Sequence, residues 1–119
     1  MFTIYTLKNN IMISRIWHGY TTKDNADTYE SLLQKEIFAG IANKKIEGYR
    51  GIQLLRRELP AETEFITIMW FDSVDSVRIF AGEDYEKAVV PEAAQKVLSR
   101  YDKISAHYTV KTDDYKYSG

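Results

Sequence analysis

Apolar positions along the chain switch repeatedly between short and long spacing, and each switch marks an element. Met12 to Tyr20, MISRIWHGY, is rich in β-branched and aromatic residues and predicts a first strand. From Thr21 to Lys45 the period lengthens: Ala26, Tyr29, Leu33, Ile37 and Ile41 recur every three to four residues, as on one face of a helix. Thr22 or Asp24 can cap its start, and Gly48 lies beyond its end. GYRGIQLLRRE, from Gly48, reads as a second strand, LPAE as a turn, and TEFITIMWFD, from Thr63, as a third strand. Asp72 or Ser73 can cap the next helix, SVDSVRIFAG, which sets Val74, Val77 and Phe80 on one face. EDYEKAVV is an irregular or one-turn segment. Pro91 then stands where a first helical position is expected, with Glu92 in the first turn and Ala94, Val97 and Leu98 on the inner face. KISAHYTVK, from Lys103, is the last strand.

The order β-α-β-β-α-β, with its second helical region in two pieces, predicts an α+β ferredoxin-like fold: one antiparallel sheet with helices on one face. FITIMWF in the third strand is apolar at nearly every position, so both of its faces require cover. Helices reach only one of them. A second copy of the same sheet is the economical cover for the other, so a homodimer joined sheet to sheet is expected.

Composition narrows the chemistry. The 119 residues suit one domain. With 45% hydrophobic residues, 28% charged and a net charge of −1, the chain lacks the clustered basic charge that nucleic-acid binding uses. The absence of cysteine excludes disulfides and thiolate chemistry, and two histidines, His18 and His107, are too few for a multi-histidine metal site in one subunit. No stretch approaches the roughly 20 apolar residues of a membrane span. The opening MFTIYTLKNN has no basic lead or long apolar core of a signal peptide, so a cytoplasmic location is expected.

ISRIWHG, GYRGIQLLRRE, ITIMWFDSVDSVRIFAGEDYEKAVVPE and HYTV together resemble the antibiotic biosynthesis monooxygenase-like family, within the dimeric α/β-barrel superfamily. The resemblance covers residues 12–111, leaving 1–11 as an N-terminal extension and 112–119 as a polar tail. It implies a ligand pocket between the sheet and the helices of one subunit. Similar proteins include cofactor-independent oxygenases of anthrones or quinols, haem-degrading enzymes, and members with no assigned activity. The haem-degrading members use an Asn on strand one, a Trp ending strand three and a His on the following helix. Trp70 matches the Trp. The strand-one position offers Trp17 or His18 and no Asn, and no His lies between Phe71 and Arg100, so haem degradation fits poorly. The resemblance thus implies chemistry without a cofactor or metal.

Alternation on the first strand puts Ile13, Arg15 and Trp17 on one face and Ser14, Ile16 and His18 on the other. Only one of Trp17 and His18 therefore faces a helix-side pocket. His18 is a candidate proton acceptor for a phenolic substrate, or a hydrogen-bonded residue at an interface. Trp70, on a face with Ile66 and Ile68, is a candidate wall for a flat aromatic ligand, or plain core. His107 shares a polar face with Ser105 and Thr109 and either lines a cavity or meets a partner subunit. Arg15, among apolar neighbours, either pairs with a carboxylate or caps the polar end of a pocket. Phe80 is a further candidate wall, and Tyr85, in the acidic segment GEDYEK, a candidate lid residue. Arg56 and Arg57 beside Glu58 read as a solvated strand end or an ion pair. Two functions compete: a cofactor-free monooxygenase acting on a small aromatic of quinol or anthrone type, and a non-catalytic dimeric small-ligand-binding or stress-associated protein.

Overall fold

The computed structural model describes residues 12–114, so the expectations for residues 1–11 and for the end of the tail lie outside the described residues. Strand β1 (Ile13–Thr21) is followed by α1 (Ala26–Leu32), a π-helical turn (Leu33–Ile37) and α2 (Phe38–Asn43). Next come β2 (Tyr49–Glu58), β3 (Thr63–Phe71), α3 (Val74–Ala81), α4 (Glu92–Gln95), β4 (Arg100–Tyr101) and β5 (Ala106–Thr109). All pairings are antiparallel. The sheet runs β2-β3-β1, and the far edge of β1 is shared by β4 and β5. This is the expected α+β ferredoxin-like sheet with helices on one face.

Several boundaries follow from local chemistry. The first helix begins at Ala26, later than Thr22 or Asp24 would place it; Thr22 Oγ1 instead accepts from the Asn25 N–H at 3.2 Å and closes the turn ahead of it. Ser73 caps α3, its Oγ accepting from the Ser76 N–H at 3.1 Å. Pro91 stands one position before its expected place, as the N-cap of α4, with an extended ψ of 150°. The last strand is shorter than KISAHYTVK because residues ahead of Ala106 bond elsewhere. The Ser105 N–H donates to Glu86 O at 2.7 Å, and Lys103 O accepts from the Ala88 N–H at 2.9 Å. Those bonds tie the EDYEKAVV segment to the sheet edge.

Gly48 shows why the turn into β2 needs glycine. Its φ is +86°, and a Cβ there would lie 1.9 Å from Ser76 Oγ, inside the capping network of α3.

The helices bury one face of the sheet. Phe65, Met69 and Phe71 of β3 point into it and form two clusters, Phe65 with Ala26, Tyr29, Leu33 and Ala94, and Met69 and Phe71 with Ile13 and Val77. Arg56 of β2 also faces the helices, and its Nη1 donates to Asp27 and Glu30 of α1 at 2.8 Å each. The other face carries Ile16, Leu55, Ile66, Ile68, Trp70 and Tyr108, set by the pairing register. Among the described residues no helix covers it, and Leu55 and Tyr108 are 45% and 56% exposed.

Candidate functional site

A cavity lies between the sheet and the helices, walled by Trp17 and Met69 from the sheet, Leu33 and Ile37 from the π turn, and Phe80 of α3. The π turn inserts an extra residue's width into the first helix, a distortion that often accompanies functional sites. The free space is about 60 Å³. At roughly 10–15 Å³ per water on this measure, it holds about as much as four to six waters, the size of a single small ring.

Trp17 reaches the cavity because of its neighbour. Its ring crosses Gly19 so closely that a Cβ there would sit 2.7 Å from the indole. Its Nε1–H donates to Asp102 O at 2.8 Å, which fixes the ring plane while the apolar face stays toward the cavity.

Arg15 closes one end. It is 3% exposed, and its guanidinium meets no carboxylate within 4.0 Å among the described residues. Nη1 donates to Tyr85 O at 2.5 Å and to His107 Nε2 at 3.0 Å, and Nη2 donates to Lys87 O at 3.2 Å. The group also lies over the Phe80 ring, 5.5 Å from its centre. Burial holds Arg15 down at about 10, well below an ordinary arginine. Arg15 therefore lines the cavity without a carboxylate partner among the described residues.

His107 backs Arg15. A guanidinium only donates, so His107 Nε2 is the acceptor and the proton resides on Nδ1. That Nδ1 is buried and has no partner among the described residues. Burial first, and then the charge of Arg15, keep His107 below the usual histidine range. The Tyr85 ring meets the His107 ring edge-on at 5.2 Å. Neither residue walls the cavity; both position Arg15.

Two expected site residues lie elsewhere. Trp70 does share a face with Ile66 and Ile68, but that face is the one without helices, and Trp70 Nε1–H donates to Gln53 Oε1 at 2.9 Å. It does not border the helix-side cavity. The reason is parity: Phe65, Thr67, Met69 and Phe71 take the helix side, and because both sets in this strand are apolar, hydropathy alone does not rank them. His18 shares the open face with Trp70; its Nδ1–H donates to Glu64 Oε2 at 3.0 Å, and the Tyr20 hydroxyl approaches the same oxygen at 3.4 Å. Trp17, not His18, is thus the cavity residue of the pair. Arg15, Trp17 and Phe80 converge at the cavity. Sequence reasoning missed Thr67, Met69 and Ser105 as lining; Thr67 and Ser105 carry the only signal, polar residues on the helix-facing parity of their strands.

No histidine lines the cavity, and α3 carries none, so these residues do not fit a haem iron. Among the described residues no cluster of three His, Asp or Glu side chains has metal-binding geometry, and no helix is long and apolar enough to cross a membrane.

No protein-family model and no curated protein matches the chain. Solved structures do. A Bacillus cereus protein provisionally named an antibiotic biosynthesis monooxygenase superposes with a TM-score of 0.64 at 15% identity, over 89% of this chain and 99% of its own. Rv0793 from Mycobacterium tuberculosis superposes with a TM-score of 0.53, also at 15% identity, over 87% of this chain and 97% of its own. Together with the strand order they establish the fold: a ferredoxin-like α+β sheet with helices on one face.

Proposed function

We propose that this chain is a member of the antibiotic biosynthesis monooxygenase-like family that acts as a homodimer and oxidises a small electron-rich aromatic of quinol type without a cofactor. The carrying observation is a cavity with aromatic walls that ends on a buried cation. Direct oxidation of a quinol by oxygen starts from the anion, which gives up an electron far more readily than the neutral phenol. A guanidinium in a low-dielectric site favours that anion before any electron moves. One O₂ is consumed per quinol: one oxygen atom enters the ring, the other leaves as water with the two hydrogens lost, and the substrate supplies all four electrons. The protein contributes position and charge.

The cavity's size favours one ring over the three of an anthrone. The uncovered sheet face supports the homodimer, because an apolar strip through three strands requires cover. A cytoplasmic location goes with this reading. Oxygen uptake with a panel of single-ring hydroquinones tests it. The expected result is uptake matched one-to-one by hydroxyquinone and reduced about 10²–10³-fold in Arg15→Gln, the usual loss when a charge-stabilising group is removed. No acceleration with any member of the panel would overturn the catalytic reading.

A second reading, a non-catalytic ligand-binding dimer, draws on one observation. Neither histidine is placed as a base: His18 is on the opposite face, and the free lone pair of His107 is engaged by Arg15. Saturable binding of a hydroquinone without turnover would favour it.

A further inference from the structure

We propose that the cavity selects its ligand by a permanent negative charge, taking a small organic monocarboxylate whose carboxylate sits on Arg15 and whose apolar body fills the space under Trp17. The proposal rests on the cavity being the ligand site and is independent of oxidation.

Charge balance is the first ground. A buried guanidinium is normally matched by a carboxylate, because a lone charge in a low-dielectric interior is costly. Arg15 has none among the described residues, and the segments outside them, MFTIYTLKNNI and YKYSG, contain no Asp or Glu. Glu86, the acidic residue that bears on His107, is exposed. The remaining partners are two carbonyls and a neutral imidazole, which orient the group without cancelling its charge. Its lowered proton affinity expresses the same imbalance.

Free donors are the second ground. The three hydrogen bonds leave Nε–H and one Nη2–H of Arg15 without an acceptor among the described residues. Ser105 and Thr67 line the same cavity, and neither side chain has a hydrogen-bond partner there among the described residues. Three polar residues with spare hydrogen-bonding capacity within apolar walls are the pattern of a site that orients a small polar ligand. A neutral phenol would leave the charge of Arg15 uncompensated, whereas a carboxylate is ionised at neutral pH and offers two acceptor oxygens. The space limits the body to about one ring.

The test uses the full chain carrying Trp70→Phe, so that Trp17 is the fluorescent reporter, at fixed ionic strength. Benzoate is the anionic probe and benzamide its neutral counterpart of similar shape. Saturable quenching or shift of Trp17 emission by benzoate is expected, with benzamide at least about tenfold weaker, as for loss of a charge-assisted hydrogen bond. Arg15→Gln should bring benzoate down to the level of benzamide. Equal affinity for the two probes, retained benzoate binding in Arg15→Gln, or no binding of benzoate at tens of millimolar would each overturn the proposal. Should Arg15→Gln fail to fold, the comparison of the two probes still decides. Benzoate binding without quinol oxidation would sink the oxidation alone; quinol oxidation without benzoate binding would sink this inference alone.

Discussion

Arg15 is held by two carbonyls and an imidazole where an ion pair would be the ordinary solution, and that arrangement has a pH signature through His107. Burial and the adjacent cation disfavour a proton on the second nitrogen of His107, so its folded value lies below the ordinary 6.5. The unfolded chain then binds a proton that the folded chain refuses. Stability is full above the ordinary histidine range and falls as pH drops through it toward the lowered folded value. Urea midpoints should therefore decline from pH 7 to pH 5.5, above the range where carboxylates titrate. His107→Gln, whose amide oxygen can still accept from Arg15, should flatten that decline; an unchanged slope would exclude His107 as its source. Gly48 yields a steric prediction. Gly48→Ala forces a left-handed φ and a clash with Ser76, so it should cost about 2–5 kcal/mol in urea unfolding, from roughly 1–2 for the dihedral and 1–3 for overpacking. Phe71, with no exposed surface between the sheet and α3, should cost about 3–5 kcal/mol as Phe71→Ala.

At the scale of elements, the helices read from apolar spacing are present, and their ends are set by contacts that spacing does not encode. The stripe Ala26, Tyr29, Leu33, Ile37, Ile41 holds the helical period well enough to identify the helix. The π turn at its centre has no local marker in LQKEI, such as Gly or Pro, and becomes visible only where Leu33 and Ile37 wall the cavity. At α3 local chemistry narrowed the cap to Asp72 or Ser73, and Ser73 fills it. Ser73→Ala should cost about 1 kcal/mol, measured by chemical denaturation, and Ser73→Asp should recover most of it. The last strand went the other way. Its apolar alternation is genuine, yet its first residues bond to the segment around Glu86 and Ala88, and a non-local partner of that kind leaves no trace in strand propensity.

At the scale of the whole molecule, the described residues cover the sheet on one side only. Leu55 and Tyr108 stand exposed on a face that also bears Ile66, Ile68 and Trp70. If that face meets a second copy, the chain should run in light scattering at twice 13.8 kDa at micromolar concentration. Tyr108→Asp should shift it to the monomer with little loss of secondary structure, since the residue is already exposed in the single chain. A monomeric mass for the unaltered chain would refute the sheet-to-sheet dimer. A dimer unaffected by both Tyr108→Asp and Leu55→Glu would place its interface elsewhere.

The sequence by itself determined the class of fold, because element order and hydrophobic period are local properties that survive without knowledge of contacts. It also determined that Trp17 and His18 part company in a strand without a bulge, since side chains there alternate between faces. Only the tertiary structure decided which of the two faces the helices. In the third strand both faces are apolar, so parity was defined and direction was not, and Trp70 accordingly fell on the face opposite to the one its family resemblance suggested. The same holds for Arg15. A basic residue in an apolar strand announces a special environment, but whether a carboxylate, a carbonyl or an open cavity receives it depends on segments some seventy to ninety residues away in the chain.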